Sequence, residues 1–195
     1  MPNIRSFVAV ELDPRVRQAL DECIARLEAE EGGELVRWVS PQSIHLTLRF
    51  LGDIDAEQVP ALSRALDRVV ASRARFDLAL GDLGCFPNPQ RARVFWVGVQ
   101  DSRGRLRALV ESLEDALARL GFERETRPYK AHLTLGRVRR NASRSQVAAL
   151  ASESVLDLTR GLALPVRGVS LIQSDLTPSD AIYSRLHRSA LMGES

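Results

Sequence analysis

The chain predicts an α+β fold in which helices pack on antiparallel sheet, and three observations carry that reading. Short runs rich in Val, Phe and Leu alternate irregularly with three amphipathic stretches. No linker rich in Pro, Gly or Ser divides the 195 residues, and no segment is of low complexity. An eight-residue pattern occurs twice. The length suits one compact domain, or two small lobes sharing an interface, and is enough to bury a core without staples.

The elements follow in order. Ile4 to Leu12 is apolar enough for a buried or half-buried strand. Asp13-Pro14 reads as an N-cap followed by proline at the first helical position, and Val16, Leu20, Ile24 and Leu27 recur at helical spacing until Gly32-Gly33. Leu35 to Val39 and Ser43 to Leu51 are strands by pattern, and Ala56 to Ala71 a second helix with Val59, Leu62, Leu66 and Val69 inward. Phe76 to Leu80 and Val94 to Val99 are strands joined by a loop that includes Gly84-Cys85-Phe86-Pro87-Asn88-Pro89, dense in turn formers. Leu106, Leu109, Leu113, Leu117 and Leu120 mark a third helix, stopped by Gly121. Val169 to Gln173 and Ile182 to His187 complete the strands.

Composition narrows the function classes. Hydrophobic residues make up 45% and charged residues 27%, which argues against wholesale disorder. A formal net charge of +2 is too mild for a nucleic-acid coat protein but does not oppose an anionic ligand. Lys130 is the only lysine among 27 basic residues. A GC-rich coding genome explains that bias without function, though arginine forks do suit phosphate. Cys23 falls on the apolar side of a helix and Cys85 in a loop, with no ligand spacing, so a disulfide scaffold is not expected. The opening residues lack a signal-peptide pattern and no apolar run nears spanning length, so a cytoplasmic protein without a membrane segment is expected.

Pro41-Gln42-Ser43-Ile44-His45-Leu46-Thr47-Leu48 and Pro128-Tyr129-Lys130-Ala131-His132-Leu133-Thr134-Leu135 share a proline, three variable residues and His-Leu-Thr-Leu. Their histidines stand 87 residues apart in a chain with three histidines. One copy would be ordinary strand alternation; two indicate an internally duplicated fold. In a strand, His and Thr point to one face and the leucines to the other. Packed about a pseudo-twofold, the copies bring two imidazoles and two hydroxyls to one site. One neutral imidazole can then accept a proton from attacking water while the other, protonated, donates to a departing oxygen. The hydroxyls of Thr47 and Thr134 can bond the non-bridging oxygens of a phosphodiester. The bland alternatives are a pair of ordinary strand histidines, or metal ligands. Zinc needs three or four ligands, and no further His or Cys stands at suitable spacing. His187 lacks a threonine two residues on and reads as an ordinary strand residue.

These paired motifs resemble the two-histidine phosphoesterases, and in particular the bacterial and archaeal RNA 2′,3′-cyclic phosphodiesterases, also called 2′-5′ RNA ligases. The likeness extends to Arg5-Ser6-Phe7-Val8-Ala9-Val10-Glu11-Leu12, Val36-Arg37-Trp38-Val39, Leu48-Arg49-Phe50-Leu51-Gly52, Gly84-Cys85-Phe86-Pro87 and Arg93-Val94-Phe95-Trp96-Val97-Gly98. The resemblance implies a bilobal fold, one motif strand per lobe, with helices outside and a central cleft. It implies metal-free, cofactor-free hydrolysis of terminal 2′,3′-cyclic phosphates to 2′-phosphates, with His45 as proton donor and His132 as proton acceptor. Thr47 and Thr134 take the phosphate-binding positions, and Arg137 stands where the family has a substrate-binding arginine. Simple alternation puts Arg137 on the opposite face from His132, so it reaches the cleft only where the strand ends or bulges near Gly136. The expected partner is RNA with a 2′,3′-cyclic phosphate end, tRNA fragments among them, or a small cyclic nucleotide, acted on by a monomer.

Trp38, Phe86, Trp96 and Tyr129 are suited to stacking a nucleobase, but buried aromatics are commoner, and Trp96 in its apolar strand reads as core. Arg91 and Arg93 fit a backbone-tracking loop or a merely solvated one. Three rival functions stay open: the reverse reaction, which joins a cyclic end to a 5′-hydroxyl; a non-catalytic RNA-end binding module; and a phosphodiesterase for small nucleotides.

Overall fold

The computed structural model describes residues 3–152, 159–177 and 181–193. Strand β1 (Asn3–Glu11) is buried on both faces from Ser6 to Val10, as its near-continuous apolar run requires. The Asp13 carboxylate then accepts from the Val16 amide at 2.9 Å and caps α1 (Pro14–Ala29). Val16, Leu20, Cys23, Ile24 and Leu27 form the buried stripe of that helix. Strand β2 (Val36–Trp38) is short. A 3-10 turn at Pro41–Ser43 delays β3 (His45–Asp55) until the first motif histidine. The second helix opens as a 3-10 turn, Ala56–Gln58, and becomes α2 (Val59–Val70) only where Pro60 sits in its first turn.

Strand β4 (Phe76–Phe86) runs on through residues expected to form a loop. Leu83 to Phe86 pair with β5 (Val94–Gln100), and that ladder overrides the local turn preference. Cys85 is therefore a half-buried strand residue, and the turn is confined to the stretch after Phe86. Next come α3 (Arg105–Ala118) and β6 (His132–Val138), the second motif strand. Helix α4 (Arg144–Ser152) and strand β7 (Ala163–Val166) have no counterpart in the sequence pattern, whereas β8 (Gly168–Leu176) and β9 (Ala181–Ala190) do. Strand β7 carries Pro165 at the sheet edge, where a strand tolerates it.

One antiparallel sheet of nine strands runs β7-β4-β5-β6-β3-β1-β8-β9, with β2 on β6. Its middle is the β6–β3 contact, and each motif strand is followed outward by three others, giving two pseudo-twofold lobes. The lobes are nested along the chain, because β4 to β7 form one stretch inserted between α2 and β8. Leu46 and Leu133, both 0% exposed, face each other at the junction. Fully burying such a side chain contributes about 1.5–3 kcal/mol, so the junction is held from beneath by the core. Among the described residues no helix is long and apolar enough to cross a membrane.

Candidate active site

Around the junction the burial pattern alternates as the motif requires: His45, Thr47, His132 and Thr134 are half-buried, and Leu46, Leu48, Leu133 and Leu135 are buried. The antiparallel pairing of Leu46 with Leu133 sets His45 beside Thr134 and Thr47 beside His132, all on the face opposite the leucines. The two imidazoles thus occupy diagonal positions across two strands, where side chains stand about 7–8 Å apart.

Both rings are anchored alike. His45 Nδ1 lies 2.9 Å from the Ser43 carbonyl and His132 Nδ1 lies 2.7 Å from the Lys130 carbonyl, each two residues upstream. A carbonyl can only accept, so Nδ1 carries the proton in both rings and Nε2 is left as the working nitrogen. Their surroundings differ. His45 stacks on Phe7 at 4.5 Å and meets the edge of Tyr183 at 5.1 Å. Burial holds its pKa below the ordinary imidazole value, opposed by the Ser43 hydrogen bond and the Glu11 charge. Glu11 is the register partner of His45 on β1 and accepts from Ser170 Oγ at 2.9 Å and Arg185 Nη1 at 3.0 Å. His132 meets Phe86 edge-on at 5.1 Å and Trp96 at 6.1 Å.

Arg137 satisfies the condition set by its sequence position. Trp96 pairs with Thr134 but Phe95 with Gly136, so Leu135 is the extra residue of a β-bulge. Beyond the bulge Arg137 pairs with Val94, on the side of Trp96, and so shares the face of His132 and Thr134. The first motif strand has the same device. Ala9 pairs with Thr47 and Val8 with Arg49, which makes Leu48 the extra residue and returns Phe50 to the face of His45. Phe50 is 62% exposed. It occupies the position of Arg137 at the 87-residue offset, a correspondence that would have singled it out beforehand.

The other aromatic candidates divide. Trp96 is half-buried on the site face instead of lying in the core, since its register partner is Thr134. Phe86 packs against both Trp96, at 5.0 Å, and His132. Tyr129 reaches across the junction and donates its hydroxyl to the Thr47 carbonyl at 2.9 Å. Trp38 is structural: its indole donates to the Gly33 carbonyl at 3.0 Å and its ring packs on Phe95. His187 lies apart, bonded through Nε2 to Asp67 at 2.8 Å, and ties β9 to α2. Arg91 ends a 3-10 turn outside the motif strands.

A sheet duplicated about its middle, with a histidine and a threonine from each copy meeting there, is the architecture of a two-histidine phosphoesterase. The chain belongs to the LigT-like phosphoesterases, whose family model matches it twice, over residues 10–96 and 97–183. His45 and His132 fall 35 residues into their respective matches (45 − 10 and 132 − 97). Over 189 residues the chain is 35% identical to the RNA 2′,3′-cyclic phosphodiesterase of Archaeoglobus fulgidus, covering 94% of this chain and 98% of that one. It is 33% identical over 197 residues to the RNA 2′,3′-cyclic phosphodiesterase of Thermus thermophilus, covering 98% and 92%. A crystal structure of E. coli LigT complexed with 3′-AMP matches with a TM-score of 0.75 at 30% identity, covering 98% of this chain and 99% of that one.

Proposed function

We propose that this protein hydrolyses RNA ending in a 2′,3′-cyclic phosphate to the 2′-phosphomonoester, with His45 as proton donor, His132 as proton acceptor and no metal ion in the reaction. The observation that carries the reading is the matched anchoring of the two rings, which leaves each with one Nε2 on the shared face of the junction. Water attacks phosphorus from the His132 side and gives that nitrogen its proton. The bond from phosphorus to O3′ breaks on the opposite side, and His45 Nε2 supplies the proton that makes the 3′-hydroxyl. Thr47 and Thr134 flank the phosphate and hydrogen-bond its non-bridging oxygens, and Arg137 adds a fixed charge on the same face. Phe50 offers an exposed ring on which a base can stack.

Ligand supply supports the metal-free form. Each ring has one nitrogen committed to a carbonyl, and among the described residues no group of three or more His, Cys, Asp or Glu is placed to hold a metal ion. The names of the Archaeoglobus and Thermus relatives support the substrate. The test is to incubate purified protein with an RNA oligonucleotide bearing a 2′,3′-cyclic end and locate the product phosphate by 31P NMR. A 2′-phosphomonoester formed at the same rate in EDTA is expected. A 3′-phosphate, or activity lost on chelation and restored by one metal, would overturn the reading.

A further inference from the structure

Two cavities of about 410 and 400 Å³ lie on the side of His45 away from β6. The nearer is walled by His45 itself with Ser43 and Tyr183, and the farther by Arg167, Ser170 and Arg188. They share Glu11, Arg17 and Arg185 as walls, so they form one groove leading from the candidate proton donor toward the start of β8. The charges in it are unevenly committed. Arg185 pairs with Glu11 at 3.0 Å, Arg167 with Asp77 at 3.1 Å, and Asp13 caps α1. Arg17, by contrast, has a buried Nε with no hydrogen-bond partner, and Arg188 is exposed without an ion pair among the described residues. A buried guanidinium N–H without a protein acceptor is uncommon in folded proteins and is available to an acceptor oxygen of a ligand. Two uncommitted guanidinium groups along a groove that opens beside His45 match a chain of phosphodiesters.

The assigned roles give the groove its direction, and the inference rests on them. If His45 protonates O3′, the terminal ribose lies on the His45 side of phosphorus and the attacking water on the His132 side. The RNA continues from the 5′ oxygen of that ribose, so it leaves the site past His45. We propose that this groove holds the RNA backbone upstream of the cyclic end, with Arg17 and Arg188 on its phosphates. The enzyme thereby prefers an oligonucleotide over a cyclic mononucleotide, which has no upstream phosphate to offer.

The experiment compares kcat/KM on a short single-stranded RNA bearing a 2′,3′-cyclic end with that on the 2′,3′-cyclic mononucleotide. Arg188→Glu and Arg17→Gln should each lower the oligonucleotide-to-mononucleotide ratio at least tenfold, through KM more than kcat. The salt slope for the oligonucleotide should flatten by roughly 0.7 for each single-strand phosphate no longer neutralised. A methylphosphonate in place of the nearest upstream phosphodiesters should reproduce the loss in the unmodified protein and add little in the variants. It also separates backbone phosphate from free phosphate, because inorganic phosphate should inhibit the two substrates alike. Arg188 is exposed, so its variant tests the groove even where Arg17→Gln disturbs folding. Equal losses on both substrates, or full additivity with the methylphosphonate, would overturn the inference. An unmodified protein that uses the mononucleotide as well as the oligonucleotide would overturn it while leaving the phosphodiesterase reading intact. A protein inert on both would sink the two together.

Discussion

His45 and His132 carry the same hydrogen bond in different surroundings, and the burial of His45 should show in the pH profile. In the proposed mechanism only protonated His45 can act as the acid, and burial holds its pKa below the ordinary imidazole value. For the free enzyme, kcat/KM should therefore fall as pH rises through a limb on the acid side of an ordinary imidazole. A bound phosphate anion favours the protonated ring, so the corresponding limb of kcat should lie at higher pH. Glu11→Gln removes a charge that raises this pKa and should move the kcat/KM limb further toward acid. A limb that stays in place in Glu11→Gln would remove Glu11 from the mechanism. Alanine at either histidine should cost roughly 10²–10⁴-fold, the usual worth of one positioned proton transfer. The double variant should lose less than the product of the singles, because the pair works as a unit. Thr47→Val or Thr134→Val should cost ~1–3 kcal/mol in kcat/KM. His187→Ala, whose ring is engaged with Asp67 away from the junction, should turn over at the parent rate.

At the scale of the element, the bulge at Leu135–Gly136 is the feature that aims Arg137. A Cβ on Gly136 would lie 2.6 Å from Val36 Cγ1 and 2.8 Å from Trp38 Cε3, so β2 lies this close only against glycine. Gly136→Ala should lower stability by about 1–3 kcal/mol, the usual cost of overpacking. It should also reduce kcat/KM as the bulge and Arg137 shift together. A variant destabilised but fully active would show that Arg137 does not depend on the bulge. Elements with a strong apolar period were legible in sequence: β1, the inner faces of α1, α2 and α3, and both motif strands. Helix α4 has few large apolar residues to mark it, with Val147 and Leu150 as its buried pair. The extension of β4 through Gly84–Phe86 was hidden because cross-strand pairing with β5, not local preference, decides it.

Taken whole, the molecule is duplicated but not divisible at its repeat boundary. The family match divides at residues 96 and 97, inside β5, whereas β8, within the second match, and β9, which begins in it, complete the lobe of the first motif. Fragments 1–96 and 97–195 should each lack cooperative unfolding when expressed alone, as followed by circular dichroism. A folded 1–96 fragment would contradict the nesting. The lobes are also tied across the junction in unequal ways. On one side β2 pairs with β6 against Gly136. On the other, Arg49, at the same offset, is paired with Glu114 at 2.8 Å and donates to the Glu123 carbonyl, which holds the stretch before the second motif.

The sequence by itself determined the α+β class, the duplication, and the shared face of His45, Thr47, His132 and Thr134, because a strand's period of two makes face and register readable from neighbouring letters. Arg137 was legible only as a condition on the backbone, and Trp96 was misread as core, because a bulge and a register partner depend on the adjacent strand. The groove beside His45 depended on the tertiary structure. It is formed by residues as distant as Glu11, Arg17 and Arg185, and contacts between strands far apart in sequence leave no local pattern.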